Sequence, residues 1–294
     1  MSAKKCNFHT HSQFCDGKNT AEEMVLAAIE KGFDVLGFSS HCMHPLNPEF
    51  YKPFDSIWHL PAADINAYTA EIRRLKEKYA DKIKIYLGFE ADYFVSADIG
   101  SAIPAKAEYS DFSPDYLIGA VHFIITDKGF FTVDHKPEVV KENLIRFFSR
   151  PDGEIDGRAA VCNYFAAERE MLRKGDFGII AHCDLIKLRN GHLNFFSPEE
   201  SWYKEEIKAT AKEIARAGVI AEINTGAIGR GIMDDTYPSQ YFLELLYELG
   251  VPVCINSDAH TTAMLDGAFD RAIAQAKKTG YTELVYPGNN IVKL

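Results

Sequence analysis

Short apolar runs alternate along the chain with longer segments whose apolar residues recur at helical spacing. Strands are predicted at residues 5–8, 35–39, 83–89, 116–121, 177–181, 219–223 and 251–256. Helices are predicted at residues 20–31, 61–79, 137–149, 158–173, 198–217, 238–249 and 262–278, with a short helical region at 102–109. Strands that alternate with helices in this way indicate βαβ units and a parallel sheet.

The first of these helices carries clear boundary signals. Thr20 is a suitable N-cap residue, and Glu22 and Glu23 bring negative charge to the first turn, where the helix dipole favours it. Gly32 follows the last apolar position and is typical of a helix end. We therefore expect a helix that begins directly after Thr20.

Residues of the metal-ligand type follow the predicted strands one after another. In a barrel, the carboxyl ends of the strands surround one mouth, whereas an open sheet would spread them along a line. The strands are apolar throughout, as expected when helices cover a parallel sheet. This pattern predicts a TIM-like α/β barrel with the functional site at the C-terminal ends of parallel strands. We expect residues 1–294 to form one domain, with the irregular segment 42–60 as a candidate lid.

Nine histidine and carboxylate residues make up the predicted ligand set. They are His9, His11, Asp16, His41, Glu90, His122, His182, Asp258 and His260. His9 and His11 are two residues apart, so on a strand they face the same side, and Asp258 and His260 repeat this spacing. Such a cluster would be costly to bury without cations.

The size and chemistry of this set indicate several ions. Nine ligands exceed what one tetrahedral site can use, so we expect two to three divalent ions that share some carboxylates. Imidazole suits zinc and iron, and carboxylate suits manganese, so Zn, Fe or Mn is expected. Magnesium is disfavoured because it prefers water and other oxygen ligands.

Composition limits the other partners. The 294 residues are 47% hydrophobic, enough for a large core, and the net charge is −10. A strongly acidic chain disfavours nucleic acid as a partner. No long apolar segment indicates a membrane span or leader, so a cytoplasmic location is expected. The six cysteines lack a C-x-x-C pair, and the three that neighbour ligand-type residues, Cys15, Cys42 and Cys183, are expected to be reduced thiols packed behind the site.

A set of motifs completes the sequence picture. In chain order they are NFHTHSQFCDG, FSSH, GFEADY, GAVHF, AHCDLIK, AEINTG and NSDAH. Together they resemble the PHP (polymerase and histidinol phosphatase) family, and their layout is similar to that of its monofunctional histidinol-phosphate phosphatases. The resemblance covers most of the chain and implies a distorted (β/α)7 barrel with a trinuclear site.

The resemblance also implies how the ligands are shared. One ion would be held by His9, His11, Glu90 and Asp258. A second would be held by Asp16, His41 and His260, and a third by His122, His182 and Glu90. Asp16 stands where some relatives carry a histidine, so the identity of the second metal stays open.

Further residues are expected to contact the substrate. In the resembling phosphatases, arginines in positions like those of Arg230 and Arg158 hold the phosphate, and Arg189 is a further candidate. Arginine suits this role because its planar fork of donors matches phosphate oxygens. Asn224, at the end of the sixth strand, and two residues of the irregular segment complete the expected pocket. These two are His44 and Trp58.

The resemblance implies a phosphomonoesterase that hydrolyses L-histidinol phosphate to L-histidinol and inorganic phosphate, a reaction of histidine biosynthesis. The expected mechanism is attack by a metal-activated hydroxide. Arg230 and Arg158 would stabilise charge, and Asp258 or His260 would transfer protons. An alternative is a PHP phosphoesterase that acts on nucleoside bisphosphates or short oligonucleotides. A metal-binding structural module, as in some polymerases, is a third hypothesis.

Overall fold

The computed structural model describes residues 4–44 and 58–294, with nine helices and thirteen strands in these ranges. The strands are β1 (Cys6–Asn7), β2 (Val35–His41), β3 (Lys84–Asp92), β4 (Phe94–Ser96), β5 (Gly100–Ala102), β6 (Tyr116–Ala120), β7 (Phe123–Thr126), β8 (Gly129–Thr132), β9 (Ile179–Ile180), β10 (Ile220–Asn224), β11 (Val253–Asn256), β12 (Glu283–Tyr286) and β13 (Asn290–Lys293). The helices are α1 (Ala21–Glu30), α2 (Ile65–Lys78), α3 (Pro137–Phe148), α4 (Gly157–Lys174), α5 (Asn190–Leu193), α6 (Ser201–Ala217), α7 (Gly226–Gly229), α8 (Gln240–Glu248) and α9 (Phe269–Thr279).

Seven of the strands form one parallel sheet in the order β1-β2-β3-β6-β9-β10-β11. The two edges of this sheet approach each other just beyond β1 and β11. There the amide of His11 donates to the carbonyl of Ala259 at 2.9 Å, and the amide of Ala259 donates to that of His9 at 3.2 Å. The sheet is therefore a nearly closed barrel, and the predicted barrel fold is confirmed.

Every predicted strand lies at or beside one of these seven sheet strands. Three antiparallel hairpins were not predicted: β4 with β5, β7 with β8, and β12 with β13. Their strands have three or four residues each, too few to produce a clear alternation in the sequence. The helical region expected at 102–109 is a 3-10 helix at Lys106–Phe112, and the last predicted helix is divided into a 3-10 turn and α9.

The barrel interior below the mouth is filled by Tyr116 of β6. Its hydroxyl donates to the carbonyls of Phe8 at 2.6 Å and of Phe38 at 2.9 Å. A Cβ atom added to Gly88 would lie 2.4 Å from the Tyr116 ring, and one added to Gly37 would lie 2.5 Å from its hydroxyl. Small residues on β2 and β3 therefore make room for one large side chain that joins three strands.

Helices cover the outside of the barrel. The main hydrophobic core contains buried residues from along the chain, from Cys6 to Val292. The first helix starts as predicted, because the hydroxyl of Thr20 accepts from the amide of Glu23 and the Glu23 carboxylate accepts from the amide of Thr20. Within residues 4–44 and 58–294, no helix combines the length and the apolar character needed to cross a membrane.

Candidate metal centre

The strand ends carry the ligand-type side chains into the barrel mouth. On β3, side chains two residues apart point to the same face. Gly88 lies over the Tyr116 ring, and Glu90 and Asp92 continue that face towards the mouth. His41, at the end of β2, is directly paired in register with Glu90. The apolar floor and the polar mouth are thus built from the same strands.

Glu90 is the centre of the cluster, and its carboxylate is fully buried. One oxygen, Oε2, lies 2.9 Å from His9 Nε2, 3.1 Å from His41 Nδ1 and 3.4 Å from His11 Nε2. The other, Oε1, lies 3.0 Å from His182 Nε2 and 3.4 Å from His122 Nε2. Each oxygen therefore faces its own group of imidazoles, as a carboxylate that bridges two ions would.

Asp258 and Asp16 supply carboxylates on the other side of the histidines. Asp258 Oδ1 lies 3.1 Å from His11 Nε2 and 3.5 Å from His260 Nδ1. Asp16 Oδ2 lies 3.1 Å from His260 Nε2, and its Oδ1 lies 3.9 Å from His41 Nε2. The ring of His11 stacks between those of His41, at 4.4 Å, and His260, at 4.2 Å.

All nine predicted ligands therefore come together, and eight of them, with Asp92, form groups whose ligand atoms lie within 4.8 Å of one another. The ninth, Asp258, lies beside His11. The groups are His11-Asp16-His41-His260, His9-His11-Glu90, His41-Asp92-His122 and Glu90-His122-His182. His11 Nε2 and Asp16 Oδ1 are buried but make no hydrogen bond within the described residues, although both lie close to other ligand atoms. Imidazole and carboxylate atoms that face one another without hydrogen bonding fit cations, so these clusters can hold several metal ions.

The electrostatics of the ion-free cluster are strongly coupled. Burial lowers the pKa of His9, but the carboxylates of Glu222, Glu90 and Asp258 outweigh burial and hold that pKa well above its usual value. Burial raises the pKa of Glu90, but His9, His41 and the hydrogen bond from His182 outweigh burial and lower it well below the usual range. In the ion-free cluster, the proton on His9 balances the negative charge of these carboxylates. Bound cations would balance the same charge.

The pKa values of two neighbouring histidines, His41 and His122, are shifted in opposite directions. Burial and the charges of His11 and His122 lower the pKa of His41 to about 3, against the opposite effect of Glu90 and Asp16. For His122, the carboxylates of Asp92 and Glu90 outweigh burial and raise the pKa to about 10. His41 therefore presents neutral nitrogen atoms, the form in which imidazole binds metals.

Glu222 is a buried residue of the site that the sequence prediction did not include. Its Oε1 lies 2.7 Å from His9 Nδ1 and accepts from the Asn256 side chain at 3.0 Å. Its Oε2 accepts from the Asn224 side chain at 2.9 Å and from the amide of His182 at 3.1 Å. Glu222 therefore orients His9, so that Nε2 of His9 points at Glu90.

Asp92 was also missed, although its spacing of two residues from Glu90 was a usable signal. Its carboxylate contacts His122 Nδ1 through Oδ1, and Oδ2 lies 2.9 Å from His59 Nε2. His59 is buried, with Asp92 as its partner inside the mouth. Asp92 thus connects the predicted ligand His122 to His59, in the described part of the chain that begins at residue 58.

Two arginines have defined partners near the strand ends. Arg230 Nη1 lies 3.2 Å from Asp258 Oδ2, and the Arg230 side chain is 27% exposed, so the guanidinium can reach a ligand from the mouth. Arg189 donates to the carbonyls of Asp134 and His135, both at 2.6 Å. Burial lowers the pKa of Arg189 most, against the opposite effect of Asp134.

Arg158 has no described contact with the ligand cluster. It is the second residue of α4, it is exposed, and its guanidinium lies 5.8 Å from the Trp202 ring of α6. Its predicted contact with the phosphate therefore stays a prediction.

Three further residues were predicted to contact the substrate: Asn224, His44 and Trp58. The Asn224 side chain is used internally, because it donates to Glu222 and accepts from the amide of Gly226 at 2.8 Å. It therefore supports Glu222 instead of facing the pocket. His44 and Trp58 lie at the two ends of the undescribed stretch, and the Trp58 ring is 5.6 Å from that of His135. The predicted lid at 42–60 falls largely on residues 45–57, outside the described residues.

The cysteines are free thiols, and four of the six are buried. Cys15 lies directly against the site, with its sulfur 3.4 Å from His11 Nδ1. The expectation of reduced cysteines packed around the ligand residues agrees with this placement.

Comparison with known proteins identifies the class. The family model of the PHP domain matches residues 7–226, which include the first seven of the nine predicted ligands. That match covers more than half of the chain, so the protein belongs to the PHP family.

Named relatives extend along almost the whole chain. A "Probable histidinol-phosphatase" of Schizosaccharomyces pombe is 27% identical over 292 residues, which cover 94% of this chain and 87% of that protein. The histidinol-phosphatase of Bacillus subtilis is 24% identical and covers 91% of this chain and 97% of its own length. The crystal structure of histidinol phosphate phosphatase from Lactococcus lactis, complexed with zinc, L-histidinol and phosphate, aligns with a TM-score of 0.67 at 20% identity, with 98% of each chain covered. At that identity the structural likeness supports the fold.

Proposed function

We propose that this protein hydrolyses L-histidinol phosphate to L-histidinol and inorganic phosphate in a metal-dependent reaction. The observation that carries the proposal is the Glu90 carboxylate with five histidines around it, each within 3.4 Å of one of its oxygens. The names of the relatives that match along most of the chain support the choice of substrate.

The ligand assignment follows the groups in the mouth. Glu90 would bridge one ion held with His9, His11 and Asp258 and another held with His122 and His182. Asp16, His41 and His260 would hold a third. When bound, such ions supply a water that is acidic enough to act as a nucleophile near neutral pH, and they neutralise phosphoryl charge. Zinc, iron and manganese all suit this mixture of imidazole and carboxylate.

Asp258 and His260 are better suited to binding metal than to donating protons. Burial raises the pKa of Asp258, but Arg230, His9, His11 and His260 outweigh burial and hold it well below the usual range. Asp258 is therefore ionised at neutral pH, which is the form that binds a cation. His260 Nδ1 lies 2.9 Å from the Asp258 carbonyl, so a proton on Nδ1 is donated to that oxygen. Nε2 then carries no proton and can face Asp16 and an ion.

Arg230 and Arg189 would bind the phosphate. Arg230 lies beside Asp258, and Arg189 is held by two carbonyls that leave further donors unused. Two guanidinium groups suit the two negative charges of a phosphate monoester. We also propose that the partners are small phosphate esters in the cytoplasm and not nucleic acid, because the chain carries a net charge of −10.

The test is phosphate release by metal-loaded protein from a panel of substrates: L-histidinol phosphate, a nucleoside 3′,5′-bisphosphate, a short oligonucleotide and an aryl phosphate. We expect kcat/KM for L-histidinol phosphate to exceed the others by roughly a hundredfold, because binding of the remote part of a substrate can lower the barrier of the reaction. A higher value for the bisphosphate or the oligonucleotide would instead favour the alternative PHP phosphoesterase.

Metal dependence is tested in the same assay. A double substitution of His9→Ala and His11→Ala is expected to lose bound metal and activity together, because both imidazoles face Glu90. His192→Ala is the matched control, since His192 is exposed on α5. Full activity in the double variant, with metal absent by elemental analysis, would refute a metal-dependent reaction.

A further inference from the structure

Tyr237 lies at the mouth of the barrel, directly beside the end of β10. The amide of Asn224 donates to the carbonyl of Tyr237 at 2.6 Å, and the amide of Tyr237 donates back to the carbonyl of Asn224 at 3.1 Å. The backbone of Tyr237 is therefore attached to the strand whose side chains Glu222 and Asn224 support His9.

The ring of Tyr237 is fully buried and held on two sides. Lys187 Nζ lies 5.4 Å from the ring centroid, and it also donates to the Asp235 carboxylate and to the Thr236 carbonyl, which precede Tyr237 in the chain. On another side, the His182 ring lies 6.1 Å away in an edge arrangement. The ring thus has one defined position beside a predicted metal ligand.

The hydroxyl of Tyr237 makes no hydrogen bond within the described residues, although it is buried. A buried hydroxyl without a partner is unfavourable, and an unpaired polar group of this kind needs a physical explanation. Tyr116 and Tyr68 differ in this respect, because Tyr116 donates to two carbonyls and Tyr68 donates to the carbonyl of Gly88 at 2.8 Å. Tyr93, directly after β3, is a second buried tyrosine whose hydroxyl makes no hydrogen bond within the described residues.

The charges around this hydroxyl indicate what it faces. Burial raises the pKa of Tyr237 most strongly, Arg230 opposes that shift, and Asp184, Asp258 and Asp134 add to it. Tyr237 is likewise among the groups that act on Arg189. Geometry places Arg230 in the same part of the mouth, since Tyr237 is paired with Asn224 at the end of β10 and Arg230, six residues after Asn224, reaches Asp258 at 3.2 Å.

We propose that the Tyr237 hydroxyl donates a hydrogen bond to a phosphoryl oxygen of the bound substrate and forms, with Arg189 and Arg230, a three-residue phosphate-binding set. The inference rests on the proposed function for the identity of the substrate, but its subject is the phosphate group alone. The observation behind it is a buried hydroxyl that has no acceptor within the described residues, on a ring held beside His182 at the end of the strand from which Arg230 follows. A phosphoryl oxygen is an acceptor that would satisfy it, and a hydrogen bond to a charged oxygen is stronger than one between neutral groups.

The experiment compares Tyr237→Phe with wild type, both loaded with zinc and matched in metal content by elemental analysis. Inorganic phosphate is the probe, as a competitive inhibitor of the phosphatase reaction and by calorimetry. We expect its inhibition constant to rise roughly tenfold to a hundredfold and kcat/KM to fall by a similar factor, because one hydrogen bond to a charged group is lost. The ring and its contacts with Lys187 and His182 remain in this variant.

The control is Tyr281→Phe, which removes a hydroxyl that donates to the Val251 carbonyl at 3.1 Å, outside the mouth. It should leave phosphate inhibition unchanged. A phosphate inhibition constant within twofold of wild type in Tyr237→Phe would overturn the inference. The inference would also be overturned if Tyr237→Phe weakened inhibition by L-histidinol but not inhibition by phosphate. The hydroxyl would then contact the organic part of the substrate.

Two further results are interpretable. A lower melting temperature of metal-loaded Tyr237→Phe would reveal an internal acceptor for the hydroxyl and would also overturn the inference. If wild type fails to hydrolyse L-histidinol phosphate, the proposed function fails. Calorimetry with inorganic phosphate on the two metal-loaded proteins would then still decide the role of Tyr237.

Discussion

Individual residues differ in how visible their roles are in the sequence. Glu90 could be predicted because a carboxylate at the end of a long apolar run has no other evident purpose. Glu222 lies within β10, and no nearby sequence pattern marks it as part of the site. Its role depends on His9, which is 213 positions away. Its function therefore became visible only from the contacts in the folded chain.

Glu168, on α4, is a buried carboxylate outside the predicted ligand groups. Its Oε1 accepts from the Tyr164 hydroxyl at 3.0 Å, and its Oε2 has no hydrogen bond within the described residues. Burial raises the pKa of Glu168 well above its usual value, and Asp184 adds to the shift, against Tyr164 and Arg169. The carboxyl group is therefore protonated in the folded protein at pH values where it is ionised in the unfolded chain.

This pKa shift makes stability depend on pH. Above its ordinary pKa, the unfolded chain releases a proton that the folded protein keeps, so the free energy of unfolding falls as pH rises. Glu168→Gln resembles the protonated form and should remove this slope, which is at most about 1.4 kcal/mol per pH unit. Denaturant unfolding of metal-free protein at about pH 6 and about pH 8 measures it.

The control for this variant is Glu142→Gln on α3, because Glu142 is exposed. It should follow the wild-type pH dependence. If Glu168→Gln lost stability in parallel with wild type between the two pH values, Glu168 would have to be ionised in the folded state.

Whole elements were predicted more reliably than their ends. The seven barrel strands were identified because apolar runs of four to seven residues are separated by helical patterns. The hairpins β4–β5, β7–β8 and β12–β13 were missed because each strand is short; the first two lie in loops of the barrel, and the third follows α9. The sequence located the start of α4 but not the direction of its first side chains, so the role of Arg158 stays a prediction.

The packing of β3 against Tyr116 leads to a prediction about stability. A Cβ atom at residue 88 would lie 2.4 Å from two atoms of the Tyr116 ring, whose hydroxyl is fixed by two carbonyls. Because the ring cannot move without breaking these bonds, we expect Gly88→Ala to lower the free energy of unfolding by about 1–3 kcal/mol. Thermal and denaturant unfolding of metal-free protein would measure the loss.

Gly191→Ala is the matched control, because residue 191 lies in α5 and an added Cβ atom has no neighbour within 4 Å. It should be neutral or slightly stabilising, since alanine favours helix by up to about 1 kcal/mol relative to glycine. Equal stability of Gly88→Ala and wild type would mean that the barrel interior is more adaptable than its contacts indicate.

At the scale of the whole molecule, the proposed metal ligands join parts of the chain that are distant in sequence. His9 and Asp258 belong to the two edges that close the barrel, and Glu90 lies on a strand between them. Ions that bind this arrangement should bind the folded protein far more tightly than the unfolded chain. Metal binding should therefore stabilise the complete fold.

We expect removal of metal by a chelator to lower the melting temperature, and added zinc to restore it. At a free zinc concentration about a hundred times the dissociation constant, the gain for one site is about 2.7 kcal/mol. Scanning calorimetry over a range of zinc concentrations measures the effect. His11→Ala should respond more weakly than wild type, whereas the exposed control His192→Ala should respond fully; identical zinc responses of all three proteins would contradict the proposed centre.

The sequence by itself determined the order of strands and helices, the barrel class and the residue types at the strand ends. These features depend on local patterns: apolar runs, helix caps and polar residues at the point where a strand ends. The family motifs added which of those residues belong together.

Only the tertiary structure decided which atoms meet. It brought Asp92 and Glu222 to the imidazoles, enclosed His59, placed Arg230 beside Asp258 and set Arg158 over the Trp202 ring. The physical reason is that hydrogen bonds and ligand contacts act over about 3 Å, whereas these partners are separated by tens to hundreds of residues along the chain. Their distances are set by how the whole barrel closes and not by any one segment.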